Sequence, residues 1–316
     1  MSTSSKSDVI DEIERVADGI RARVLDLVLQ RGGGYLSQAC SSAEQLAALY
    51  VGIMNLNKLD TPLKAPAFTS VPGDKIQASV DGGVFNGEKS AETDRFFLSP
   101  SHYCMALYAA LIETGRLTPE SLFEFNRNGS TVEMIGAEHS PGMELTTGSF
   151  GQGLSQVAGV ALARKMKGDT GNCWLFMSDG EFNEGQVWEA MAFCAKEQLD
   201  SVGVVVDVND QQVDGTTQEV FDMGSLADKC ESFGWQCIEV DGHSADALYE
   251  AGQQIRKGLP LVILANTDTA AGVEEIADRK PDLHYVGIKS ESDKHALQLR
   301  LKVLQQRSGQ TSREVV

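Results

Sequence analysis

Asp179 and Asn209 are thirty residues apart, and each stands just past an apolar run. The first lies in Met177-Ser178-Asp179-Gly180-Glu181, the second in Asp207-Val208-Asn209-Asp210. If both runs are parallel strands of one sheet, their carboxyl ends lie side by side, where ligands bind in open α/β sheets. An Asp carboxylate and an Asn amide oxygen are hard donors. They suit Mg²⁺ or Ca²⁺, with phosphate oxygens completing the shell. Gly180 allows close backbone approach to a diphosphate, and a helix starting near Glu184 offers free N–H groups to its charge. Either residue alone is an ordinary loop residue. The pair, at this spacing, is the signal.

The surrounding elements support such a placement. Apolar residues at helical spacing predict a helix over 9–29, stopped by Arg31-Gly32-Gly33-Gly34. A second helix is expected from Ser41-Ser42-Ala43-Glu44, with Ser41 or Ser42 as its cap. Residues 60–93, rich in Pro, Gly, Lys and Asp, read as a long surface loop. Helices are expected over 100–113, 121–126 and, after a Gly-rich turn at 148–153, over 155–166. Strands at 173–177, 202–208, 235–240 and 260–265 alternate with helices at 185–197, 225–233 and 245–257. Asn183 and Gln186 fit a capping pair at the start of the first of these helices. The alternation implies an α/β fold, a doubly wound, mostly parallel sheet with helices on both faces. One domain is expected over 8–307, between a disordered N-terminus (1–7) and a frayed tail (308–316).

Charge and composition narrow the function classes. The net charge is −18, so nucleic-acid backbones and anionic membranes are disfavoured partners. No apolar run reaches the length of a membrane span, and Met-Ser-Thr-Ser-Ser-Lys-Ser has no secretory h-region. The six cysteines form no C-x-x-C pair and read as reduced, mostly buried thiols of a cytoplasmic protein. Gly148-x-x-Gly151-x-Gly153 has the glycine spacing of a dinucleotide loop. It lacks the preceding strand and the acidic residue that NAD binding needs.

The runs S-D-G-E-F-N-E-G-Q-V-W-E-A and V-V-V-D-V-N-D-Q-Q-V-D-G-T-T resemble the thiamine-diphosphate signature of transketolases, with Ser178 in place of its first Gly. Asp94-Arg95-Phe96-Phe97-Leu98-Ser99 with His102 resembles D-R-F-x-L-S-x-G-H. Thr146-Thr147-Gly148-Ser149-Phe150-Gly151-Gln152-Gly153 resembles T-T-G-P-L-G-Q-G. Phe233-Gly234-Trp235, Val240-Asp241-Gly242-His243 and His284 fall in the family's order, so the resemblance covers residues 10–290. It implies that Asp179, Asn209 and the Gln211 carbonyl hold Mg²⁺ (or Ca²⁺). Gly180, Glu181 and His284 would sit by the diphosphate, and Gly148 and Phe150 at the aminopyrimidine end. His102, with His284, would serve catalysis, since a histidine can exchange protons near neutral pH.

The sequence also departs from the family. It ends soon after the first domain, so the pyrimidine-binding domain is expected on a partner chain, as an α2β2 assembly. Tyr35 stands where G-H is usual, and Met134 near the G-H-P histidine, which His139 could replace. Pro100-Ser101 replaces the small-Gly pair before His102. The cofactor apparatus is kept while the substrate positions Tyr35, Met134 and His102 are partly changed. The expected function is transfer of a two-carbon ketol unit from a ketose or ketose phosphate donor. One alternative hands that unit to a lipoyl or acyl-carrier-protein thiol. A non-catalytic regulatory role is disfavoured by the intact Asp179, Asn209 and His102.

Overall fold

The computed structural model describes residues 5–70 and 81–310. Its helices are α1 (Lys6–Arg31), α2 (Leu36–Ala48), α3 (Cys104–Glu113), α4 (Gln152–Lys167), α5 (Gly185–Lys196), α6 (Thr217–Phe221), α7 (Leu226–Ser232), α8 (Ala245–Gly252) and α9 (Glu291–Ser308). Its strands are β1 (Gly33–Gly34), β2 (Arg95–Leu98), β3 (Cys173–Ser178), β4 (Val202–Val208), β5 (Gln211–Gln212), β6 (Gly215–Thr216), β7 (Gln236–Asp241), β8 (Leu261–Asn266) and β9 (Val286–Gly287).

Five strands form one parallel sheet in the order β2-β3-β4-β8-β7. Alternate side chains of a strand point to opposite faces, and this divides the core in two. Phe176, Val205 and Ile263 pack with Ile13, Leu46, Leu107 and Leu248, from α1, α2, α3 and α8. Leu175, Val204 and Leu264 face the other way, against Val157, Met191 and Cys230 from α4, α5 and α7. Both faces being covered explains why the central strands β3, β4 and β8 read as largely apolar runs. Gly203 has a packing reason, since a Cβ there would stand 2.5 Å from the Trp174 ring. The doubly wound α/β architecture is therefore the one expected. The six cysteines are free, and five of them are buried. Among the described residues no helix is long and apolar enough to cross a membrane.

Several local expectations are corrected. α2 begins at Leu36, so Ser41 and Ser42 are buried inside it and are not caps. Ser42 bonds back to the Gln38 carbonyl at 2.6 Å, and Ser41 reaches Asp207 at 2.6 Å. Asn183 and Gln186 do not cap α5, which has no side-chain cap; Gln186 bonds Ser155 at 2.9 Å. In place of a helix over 121–126 there is a 3-10 turn, Pro119–Glu124, with residues 125–126 beyond its end. α1 begins at Lys6, capped by Ser5, so part of the stretch expected to be disordered is helical; residues 1–4 lie outside the described residues. Ser308 is buried and Gln310 bonds the Gly19 carbonyl, while residues 311–316 also lie outside the description. In the 60–93 segment, Leu63 and Ala67 bridge to Leu117 and Ser130, and residues 71–80 are not described. Among the described residues, β2 and α9 are elements that the periodicity of the sequence does not reveal.

A buried ion pair joins α1 to α2. Glu44 accepts from both terminal nitrogens of Arg21 at 2.6 Å, and His243 Nδ1 lies 3.1 Å away. Burial alone would raise the Glu44 carboxyl, but Arg21 and His243 together hold it down at about 2. Its folded value is below the usual 4.5, so this stabilisation is present above pH 4.5 and is lost as pH falls toward 2. Glu44→Gln leaves the Arg21 charge buried without a counter-charge and should cost about 3–5 kcal/mol. Urea unfolding at pH 7 measures this, and a loss under about 1 kcal/mol would contradict it.

Candidate functional site

The carboxyl ends of β3 and β4 open into a cavity of about 260 Å³. Asp179, Gly180, Asn209, Gln211, His102, His284 and Phe150 all line it. The structure thus brings together residues drawn from most of the chain.

Asp179 is buried, and its carboxylate accepts from the backbone N–H of Gly180 (2.8 Å) and Asp210 (3.2 Å) and from the Thr217 hydroxyl (3.2 Å). Burial, and then the charge of Asp207, push its carboxyl up to about 7. Asn209 is oriented from behind: its Nδ2 donates to Asp207 at 2.9 Å and to Tyr103 at 3.0 Å. With the nitrogen so engaged, Oδ1 turns toward the Gln211 backbone N–H, 3.0 Å away.

Asp207 is the residue that sequence reasoning missed. It is fully buried and receives Ser41 and Tyr103 at 2.6 Å, Gln45 at 2.9 Å and Thr267 at 2.6 Å, besides Asn209. It therefore fixes the amide that faces the cavity. Its signal was present as the one charge within the apolar run V-G-V-V-V-D-V, because a buried carboxylate needs partners.

His102 enters after β2, on the short 3-10 turn Ser101–Tyr103. His284 is brought beside it by the antiparallel ribbon of β1 and β9, which pairs Gly34 with Val286. Gln38 and Ser37 of α2 hold that segment through the carbonyls of His284 and Leu283, at 3.3 and 2.6 Å. The two imidazole centres are 5.2 Å apart, and Phe150 lies 5.6 Å from His102. Burial, with His284 adding to it, lowers His102 to about 3, so it is neutral at physiological pH. Burial lowers His284 as well.

Other expected positions fall elsewhere. Glu181 turns away from the cavity; it is fully buried and accepts from Ser99, from Gly151 N–H (3.2 Å) and from Ser178 N–H (3.1 Å). It ties three loop ends together rather than facing a diphosphate, because its carboxylate is the acceptor those groups share. Gly148, at φ 96°, keeps its turn against Ser99 and does not line the cavity. Tyr35 and Met134 line a neighbouring cavity, with the Tyr35 ring 6.3 Å from His102 and 5.7 Å from His284. His139 sits against Phe68 and Glu133, lining neither cavity.

Three features of the cavity at the ends of β3 and β4 suit a diphosphate held by a cation. Asp179 and Asn209 present oxygens to one space, and among the described residues no Lys or Arg lines it to offset an anion. Gln212 also lines the cavity, and its Nε2 is buried without a partner among the described residues, a donor left over for a bound group. A Cβ on Gly180 would find only the Gln212 side chain, at 3.8 Å, so the space before that backbone is open.

Comparison with known proteins points the same way. A family model described as the thiamine diphosphate binding domain of transketolase matches residues 85–294. A transketolase family protein of Sinorhizobium fredii is 34% identical over 89% of this chain and 92% of its own length. The 6-deoxy-6-sulfo-D-fructose transketolase subunit SqwG of a Clostridium species is 33% identical over 83% of this chain and 86% of its own. An apulose-4-phosphate transketolase subunit of Actinobacillus succinogenes is 28% identical over 91% and 95%. A solved Pichia stipitis transketolase superposes with a TM-score of 0.68 at 22% identity, over 95% of this chain and 46% of that one. The chain thus spans just under half the length of that solved transketolase.

Proposed function

The chain belongs to the transketolase family, and from that premise we propose that it is the diphosphate-binding subunit of a two-component, thiamine-diphosphate-dependent transketolase. The carrying observation is that Asp179, Asn209, Gly180, His102 and His284 converge on one cavity at the carboxyl ends of β3 and β4. Mg²⁺ would be held by Asp179, Asn209 and the Gln211 carbonyl, and the diphosphate would face Gly180 and the Gln212 amide. When bound, the cofactor supplies the electron sink that lets the C2–C3 bond of a ketose break.

The chain's own residues bind, orient and move protons. Asp207 and Tyr103 hold the Asn209 amide so that its oxygen faces the cation, a role typical of second partners in metal sites. Neutral His102 has one donor and one acceptor nitrogen, and so can accept a proton from a ketose hydroxyl and return it. Phe150 and Tyr103 give the cavity apolar walls that limit water near those transfers.

The names of the Clostridium and Actinobacillus relatives, both subunits, support the reading that a second chain completes the site. That chain would carry the pyrimidine-binding domain in an α2β2 assembly. Exposed Phe150 and Val213 beside the cavity fit a surface that such a chain covers. Free thiols fit a reducing, cytoplasmic setting. The test is reconstitution: this chain alone should show no ketose cleavage, and the complex, sized by light scattering, should contain two copies of each chain. Cleavage by the lone chain at a rate comparable with the complex would refute the proposal.

A further inference from the structure

Cys230 and Cys237 meet across the turn that joins α7 to β7. The Cys230 carbonyl accepts the N–H groups of Phe233 and Trp235, both at 3.2 Å, so the chain doubles back at the end of α7 and brings β7 under the helix. Side chains alternate along a strand. Ile238 and Val240 of β7 pack with the half of the core that holds α1 and α8. Cys237, between Gln236 and Ile238, points the other way, into the half that holds Cys230. The two side chains are in hydrogen-bond contact, with the Cys230 thiol donating to the Cys237 sulfur.

The two thiols differ in surroundings. Cys230 is wholly buried, whereas Cys237 is half-buried on β7, an edge strand of the five-stranded sheet. Accepting the bond from Cys230 lowers the Cys237 thiol, although burial and the charges of Glu239 and Glu231 act against it. Donating that bond raises Cys230, and burial adds to the effect. A thiolate therefore forms first on the sulfur that solvent reaches, beside a partner that keeps its proton. Cys40, Cys104, Cys173 and Cys194 are buried, and burial raises each of them. An accessible, more acidic thiol touching a second thiol is the arrangement that oxidises selectively and reversibly.

We propose that Cys230 and Cys237 are a modification site, closing to a reversible disulfide when a neutral peroxide reaches Cys237. The Cys237 thiolate attacks one peroxide oxygen: an S–O bond forms, the O–O bond breaks, and the hydroxide released takes a proton to become water. The Cys230 sulfur then attacks the Cys237 sulfur. The S–S bond forms, the S–O bond breaks, and the leaving hydroxide carries off the Cys230 proton as a second water. The two sulfurs give up two electrons and one peroxide is reduced. Charge favours this oxidant over glutathione disulfide. Glu231 and Glu239 act on Cys237, and the whole chain is at −18, so an anionic disulfide is repelled while a neutral peroxide is not. Neither cysteine lines the cavity at the ends of β3 and β4, so the site does not depend on the proposed ketose chemistry.

The experiment treats the reduced full chain with hydrogen peroxide, alkylates the remaining thiols after unfolding, and maps the peptides by mass spectrometry. The expected product is a peptide that holds Cys230 and Cys237, has lost two hydrogens and takes up no alkylating agent. It should form at least about tenfold faster than any other cysteine is oxidised, and dithiothreitol should reverse it. Glutathione disulfide should leave the pair reduced over the same time. In Cys230→Ser, dimedone should trap a sulfenic acid at Cys237; in Cys237→Ser, buried Cys230 should stay a thiol. Circular dichroism checks that both variants fold, and the mapping of the parent chain stands without them. A pair that oxidises no faster than Cys173 or Cys194, or a Cys237 that passes to sulfinic acid while Cys230 stays free, overturns the proposal. An internal bond formed equally fast by glutathione disulfide overturns the choice of oxidant.

Discussion

Replacing Asp179 by alanine should weaken thiamine diphosphate binding at least about a hundredfold, because the change removes a charged oxygen from the cation that neutralises the diphosphate. Only the neutral oxygens of Asn209 and the Gln211 carbonyl would then remain to the proposed cation. The fold should survive, since among the described residues the carboxylate receives only Gly180, Asp210 and Thr217. Calorimetric titration with and without Mg²⁺ makes the measurement, and circular dichroism checks the fold. Asp207→Asn should give a smaller loss, about tenfold to a hundredfold, because it disturbs the orientation of Asn209 and not a direct ligand. An Asp179→Ala chain that binds cofactor as tightly as the parent would remove the basis for the metal assignment.

His102→Ala should lower kcat by about a hundredfold to ten-thousandfold with little change in cofactor affinity. The split follows from position: the His102 ring lies with His284 and Phe150, whereas the oxygens proposed to hold the cation are those of Asp179 and Asn209. A pH test of the cofactor-free chain checks the same environment. Burial and His284 hold His102 at about 3, below its ordinary 6.5. A folded value below the unfolded one means the folded state resists protonation, so stability is lost as pH falls from 6.5 toward 3. His102→Asn should flatten that part of the thermal-midpoint curve. A variant with the parent's acid limb, or with the parent's kcat, would show that the histidine is a packing residue. Tyr35→His and Met134→His should instead alter relative kcat/KM among donors and acceptors, lipoylated carriers included, since both side chains line the neighbouring cavity.

The sheet is legible because strands covered on both faces are almost wholly apolar, and 173–177, 202–208 and 260–265 can be placed from that alone. Short β2 is harder: Arg95–Leu98 has four residues, and its meaning comes from pairing with β3. α9 is hidden because its exposed face is polar along most of its length, and its place in the core depends on Leu297 and Leu304 meeting the packed interior. Ser41 and Ser42 have the residue type of a helix cap. Burial made one a partner of Asp207 and turned the other back onto its own helix.

The sequence by itself determined the parallel α/β sheet, the convergence of Asp179 and Asn209 at its carboxyl edge, and membership of the transketolase family. Those follow from local runs and from motifs whose order is preserved along the chain. Only the tertiary structure decided what the side chains do around that edge. It turned Glu181 inward to bind three loop ends, set Asp207 behind Asn209, and moved Tyr35 and Met134 into a separate cavity beside Arg31. These outcomes depend on pairings across 30 to 250 residues, such as Gly151 with Glu181 and Tyr35 with Tyr285 (differences of the residue numbers). A buried polar group takes whichever partner the packed chain brings within reach, and residue type alone does not name that partner.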